Sequence, residues 1–213
     1  MLFRSLLERE EWQAEWIAAP LCGGPYTSVP CPYMRREFTC GGDIRSARLY
    51  VTALGLYECS INGEPVCDDV LAPGWTDYGT RVQYRVYDVT EMVHRGRNAM
   101  GAVLGDGWYC GYVGWLHRQI YGDRPRLFSQ LEVTYEDGAR SLVCTDGMWR
   151  TAFGAFLESD LLMGESYDAR LEIPGWDCAG YDDSDWLNVL VCDDPGIELT
   201  AQKGPAVRRT REV

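Results

Sequence analysis

The chain has 213 residues, 46% of them hydrophobic and 24% charged, which suits one globular domain or a domain with a tail. Its net charge is −12, and from Glu158 to Glu198 twelve acids stand against a single base, Arg170, while the rest is nearly neutral. That acidic end argues against nucleic acid and anionic membranes as partners and is compatible with cations and neutral ligands such as sugars.

The start, MLFRSLLEREEW, lacks an apolar run of signal-peptide length, and no stretch approaches the roughly 18 to 20 apolar residues of a membrane span. Nine cysteines at irregular spacing, with no C-x-x-C, read as reduced, inert thiols of a cytosolic protein. Leu2 to Trp16 is the one helix-like segment, and LCGGPYTSVPCP after it is a turn-rich loop. From there the pattern is β. YMRREFTC (33–40), ARLYVTALGLYECSING (47–63) and VQYRVYDV (82–89) alternate in polarity, and Asn98 to Leu104 is a short apolar strand. RLFSQLEVTYEDG (126–138) alternates again, with ARSLVCTDG pairing back on it. Asn62-Gly63 and Asp137-Gly138 mark two hairpin turns. Short strands at this spacing predict an all-β fold, a β-sandwich or a jelly roll, with helix only at the N-terminus and in brief turns. The expected division is an N-terminal extension (1–20), a sandwich (21–192) and a linker toward a following domain (193–213).

Two histidines, His94 and His117, sit in no nucleophile or metallohydrolase signature. The many carboxylates of the acidic stretch offer no identifiable pair for glycoside hydrolysis, and a solvated acidic face explains them more simply. Calcium takes six to eight oxygen ligands. Asp68-Asp69, Asp182-Asp183-Asp185 and Asp193-Asp194 are candidate donors, although none matches an EF-hand, and Asp183-Ser184 before Trp186 reads better as a turn cap. Binding chemistry concentrates in LGDGWYCGYVGW (104–115). Its Trp and Tyr faces suit the apolar side of a sugar ring, its glycines let backbone approach closely, and Asp106 can accept hydroxyl hydrogen bonds. APGWTDY (72–78) and GESYDAR (164–170) repeat the theme with Trp75, Asp77, Glu165 and Asp168. The same rings could equally plug the ends of the sandwich.

At these residues the chain resembles a known family. VTALGLYECSINGEPV, LAPGWTDYGTRVQYRVYDVT, LGDGWYCGYVGW, YGDRPRLFSQLEV, SDLLMGESYDAR and PGWDCAGYDDSDW are similar, in order, to the N-terminal β-domain of bacterial α-L-rhamnosidases of glycoside hydrolase family 78. The resemblance implies a jelly roll like galactose-binding domains. It implies a parent enzyme whose catalytic residues lie in a separate (α/α)6 barrel, so that the remaining domains are partners and this chain is non-catalytic. A related domain grips L-rhamnose through calcium. By that resemblance the expected ligand-binding residues are Asp106, Trp108, Tyr109, Trp115 and Glu165. Asp106 is the candidate calcium ligand, and an L-rhamnose-containing glycan is the partner. No cofactor is required on this reading. Asp106→Ala is expected to remove binding and leave the fold intact. The alternative is a purely structural domain packing on the catalytic barrel.

Overall fold

The strand at Arg81–Asp88 shows alternating burial, while longer strands such as the one at Ile44–Leu54 are buried on both faces over much of their length. The computed structural model describes residue 7 and residues 9–208. Fifteen strands are described. They are β1 (Trp16–Ala18), β2 (Pro32–Cys40), β3 (Ile44–Leu54), β4 (Leu56–Ile61), β5 (Glu64–Pro65), β6 (Arg81–Asp88), β7 (Gly96–Gly105), β8 (Arg126–Tyr135), β9 (Arg140–Cys144), β10 (Arg150–Phe153), β11 (Phe156–Asp160), β12 (Gly164–Tyr167), β13 (Leu187–Asn188), β14 (Leu190–Cys192) and β15 (Glu198–Ala201). One four-residue α-helix, α1 (Gly107–Cys110), follows β7.

Two sheets form a sandwich. The seven-stranded one runs β14–β1–β8–β3–β6–β15 with β9 also paired to β8, and the six-stranded one runs β13–β10–β2–β7–β4–β5. The inward residues of β3 (Leu49, Val51, Ala53), β8 (Leu127, Leu131, Val133), β7 (Met100, Ala102, Leu104) and β4 (Tyr57, Cys59, Ile61) make the main core, with Trp149 fully enclosed. Pairing is antiparallel except between β15 and β6, which run parallel. Strand β1, from the stretch expected as an extension, and β15, from the stretch expected as a linker, both lie in the seven-stranded sheet.

The run 47–63 holds two strands that belong to different sheets. Gly55 is the corner between them, at φ 119°, and a Cβ there would lie 2.6 Å from the Gly105 carbonyl oxygen. Only glycine meets both conditions. The two expected hairpin turns are present. Asn62 (φ 53°) and Gly63 (φ 86°) join β4 to β5, and Gly138 (φ 86°) closes the turn from β8 to β9.

The helix expected over Leu2 to Trp16 is not what the described residues form. They show one 3-10 turn, Arg9–Glu11, and then extended chain into β1; residues 2–6 and 8 lie outside the described residues. The cause is a second core on the far face of the seven-stranded sheet. Trp12, Ala14 and Trp16 point to it at a period of two, which a helix cannot supply. Trp12 packs edge-on to Tyr84 at 5.1 Å and tilted against Phe128 at 5.2 Å. Gln130 Oε1 accepts the Gln13 N–H and Thr145 donates to the Glu15 carbonyl, so extended backbone is satisfied from the sheet.

All nine cysteines are free thiols. Burial pushes the Cys31 thiol up to about 12 and the Cys144 thiol up to about 11. The thiolate is the reactive form, so native-state alkylation at pH 8 is expected to modify exposed Cys22 at least about tenfold faster than Cys31. Mass-spectrometric site occupancy over time checks this; equal rates would mean that the region around Cys31 opens on the labelling time scale.

Candidate functional site

At one end of the sandwich β7 passes through Asp106 into α1, and the chain then loops through residues 111–125 before β8. Asp106 sits at the helix N-cap position, yet its side chain caps nothing. It turns inward to Arg118, whose Nη2 donates to Oδ2, while the Cys110 thiol donates to Oδ1 at 3.2 Å. The two charged side chains are 8% and 3% exposed. Burial pushes the Asp106 carboxyl above its ordinary value, and the Arg118 charge opposes that shift. Arg118 Nε and Nη1 have no acceptor in the structure.

A second acid ties the neighbouring loops. Asp160, at the end of β11, accepts the Tyr112 N–H at 2.7 Å and the Leu162 and Met163 N–H groups at 2.8 and 3.0 Å. This explains one glycine of the aromatic stretch. A Cβ on Gly111 would lie 2.4 Å from the Gly107 carbonyl and 2.6 Å from Asp160 Oδ2. No side chain fits where the loop crosses the carboxylate.

The aromatic residues divide between interior and surface. Tyr109 is buried, edge-on to Tyr78 at 5.4 Å. Trp108 is half-buried and lies parallel to Trp75, with centroids 6.0 Å apart and planes 5° apart. Trp75 is 53% exposed, so the pair offers an indole face to solvent. Trp115 stands fully out in solvent on the same loop, and Leu116 beside it is 60% exposed. Glu165 is exposed on β12, where it receives the Ser159 hydroxyl at 3.4 Å. The five expected site residues thus do not converge. Asp106 and Tyr109 face the interior, Trp108 joins Trp75, Trp115 stands out beside Leu116, and Glu165 belongs to the β11–β12 hairpin, where it shares the neighbour Ser159 with Asp106.

Four of the carboxylates considered for calcium face arginines. Asp106 faces Arg118, Asp69 faces Arg85 and Arg208, Asp68 faces Arg208, and Asp183 faces Arg35. Asp182 accepts the Ser184 N–H, the expected turn cap displaced by one residue, and Asp194 accepts the Gly196 N–H. Among the described residues no three His, Cys, Asp or Glu side chains gather to hold a metal ion. A guanidinium thus already stands beside Asp106, Asp68, Asp69 and Asp183, which leaves these four carboxylates ill suited to calcium. No helix among the described residues is long and apolar enough to cross a membrane.

A family model described as the α-L-rhamnosidase N-terminal domain matches residues 42–211. The chain belongs to this family. An α-L-rhamnosidase of Streptomyces avermitilis is 44% identical over 95% of the chain, and one of Formosa agariphila is 37% identical over 86%. The chain spans about a fifth of the length of these relatives: 20% and 21%. The solved α-L-rhamnosidase of Aspergillus terreus superimposes with TM-score 0.92 at 40% identity, over 97% of this chain and 24% of its own. The Streptomyces avermitilis enzyme, solved in complex with L-rhamnose, gives TM-score 0.84 at 46% identity over 86% of this chain and 18% of its own. A Pleurotus ostreatus lectin, 16% identical with TM-score 0.53 over 84% of this chain, shares the fold alone. In this rhamnosidase N-terminal domain the polar knot was invisible to local reading. Arg118 lies twelve residues beyond Asp106 with no motif to couple them.

Proposed function

We propose that this domain serves an α-L-rhamnosidase without carrying its catalysis, by presenting an aromatic surface to terminal L-rhamnose of a glycan. The observation that supports it is the parallel Trp75–Trp108 pair, half in solvent at the loop end of the sandwich. An indole face takes the apolar C–H face of a sugar ring, and a pre-stacked pair presents it without ordering cost. Asp106 then acts from behind. Its pairing with Arg118 holds the loop that follows α1, so it is a positioning residue on this reading. The reading needs no calcium, because Asp106, the candidate metal ligand, is already paired with Arg118.

Isolated sites of this kind bind weakly, with a dissociation constant of about 0.1–1 mM, equivalent to roughly 4–5.5 kcal/mol. Calorimetric titration of L-rhamnose is expected to give saturable heat, unchanged by chelator and lost in Trp75→Ala. Heat that vanishes with chelator would remove the metal-free site. No heat from a folded sample would favour the second reading, a structural domain packed on the remaining domains of the enzyme. The solvated Trp115 and Leu116 favour that reading, since a large exposed apolar surface is normally covered by a partner.

A further inference from the structure

The outer face of the six-stranded sheet is covered unevenly. Over β2 and β7 the segment 174–186 lies directly on the strands, so that a Cβ on Gly101 would meet the Trp176 ring at 2.7 Å. Toward β4 that cover ends. The β11–β12 hairpin stands over Gly105, and between it, β4 and the loop before Ala72 lies a cleft of about 200 Å³. Leu56, Val103, Phe156 and Leu71 give it apolar walls, and Glu58 and Glu165 are its charged groups. Glu58 sits opposite Val103 in the β4–β7 register, on the solvent side of the sheet. Glu165 receives only the Ser159 hydroxyl, and among the described residues no arginine, lysine or histidine pairs with either glutamate. On the same outer face Glu37 is matched by Arg97 and Asp183 by Arg35.

A cleft with apolar walls and two unmatched carboxylates selects a group with an apolar stem and a cationic head. A neutral sugar would leave both charges uncompensated. A bare metal ion would find apolar walls where it needs oxygen ligands. A guanidinium is planar, weakly hydrated and carries five donors, enough to serve two carboxylates at once. We propose that this cleft is the docking point for an arginine side chain from another part of the same rhamnosidase polypeptide, of which this chain spans about a fifth of its relatives' length. The proposal rests on the chain's being one domain of a longer enzyme, and it stands whether or not the Trp75–Trp108 face takes L-rhamnose.

The test is an NMR titration of the 15N-labelled chain with N-acetyl-L-arginine amide, against its neutral counterpart N-acetyl-L-citrulline amide and against L-rhamnose. Saturable shifts at the Glu58, Val103, Gly105 and Ser159 amides with the arginine compound alone are expected. Apparent affinity should fall at least tenfold in Glu58→Gln and in Glu165→Gln, both exposed positions whose neutral variants keep the fold, and should weaken with added salt. Equal shifts from citrulline amide would overturn the proposal, because charge would not be what is recognised. Shifts spread over the acidic surface of residues 158–198 without saturation, or no shifts, would also overturn it. L-Rhamnose shifts near Trp75 with none in the cleft would leave the two readings separately decided.

Discussion

Asp106→Ala is expected to destabilise the domain by about 3–5 kcal/mol, the usual cost of removing one partner of a buried ion pair. Both side chains of the pair are almost wholly enclosed, and Arg118 already has two N–H groups without acceptors. Without the carboxylate, a full positive charge would remain in a site that water reaches poorly. Since Arg118 anchors the loop after α1, the chain would relieve that charge by opening there. Urea denaturation followed by tryptophan fluorescence measures the loss directly, and for a chain of this length the midpoint temperature is expected to fall by roughly 10 °C. The double variant Asp106→Ala/Arg118→Met should recover part of the loss, because replacing both charges leaves nothing unpaired. A loss under about 1 kcal/mol with L-rhamnose binding abolished would return Asp106 to the ligand site, as motif reading alone expected.

Arg35→Ala is expected to cost about 2–3 kcal/mol, somewhat less because its partner Asp183 is partly solvated. Arg35 is fully buried on the outer face of β2. Its Nε donates to the Trp176 carbonyl at 2.7 Å, its Nη2 donates to the Cys178 carbonyl at 3.2 Å, and its Nη1 pairs with Asp183. The Tyr181 ring covers the guanidinium at 5.4 Å. One side chain therefore holds three points of the segment 174–186, which contains no long strand of its own. Loss of Arg35 should free that segment, uncovering Gly101 and the stacked Trp176 and Trp186. Limited proteolysis should show new cleavage between residues 174 and 186 before global unfolding. Arg35→Lys should restore less than half of the loss, since an ammonium cannot reach three divergent acceptors in the fork geometry. Wild-type protease resistance in Arg35→Ala would show that aromatic stacking alone secures the segment.

These two arginines mark where reading along the chain stops being sufficient. Asp182, Asp183 and Asp185 look like a calcium cluster or a solvated face when taken by spacing. The partner that decides the matter, Arg35, is 148 residues from Asp183. Asp106 between two glycines looks like an exposed acceptor, because an acid is costly in a dry interior. The compensating charge arrives from a loop whose path depends on Asp160, 48 residues beyond Tyr112. Residue types at the candidate site were legible, and so was the aromatic character of its surface. Which rings face solvent was not, since Trp108 and Tyr109 are adjacent in sequence and divide between surface and core.

What the sequence determined by itself was local or repeated many times over. Period-two alternation set the strands at 33–40, 47–61, 82–88 and 126–135, although not the short strands β1 and β10 to β15. Asn62-Gly63 and Asp137-Gly138 set two turns by their tolerance of positive φ, and long ordered motifs set the family. Tertiary structure alone decided the rest. It drew Trp12, Ala14 and Trp16 out of a helix-like pattern onto the far face of a sheet, placed β15 parallel to β6, and matched Asp106 and Asp183 to their arginines. The physical reason is common to all of these. A strand's periodicity is encoded within a few residues, whereas burial of a charge or an indole is worth its cost only against a partner that folding brings from far along the chain.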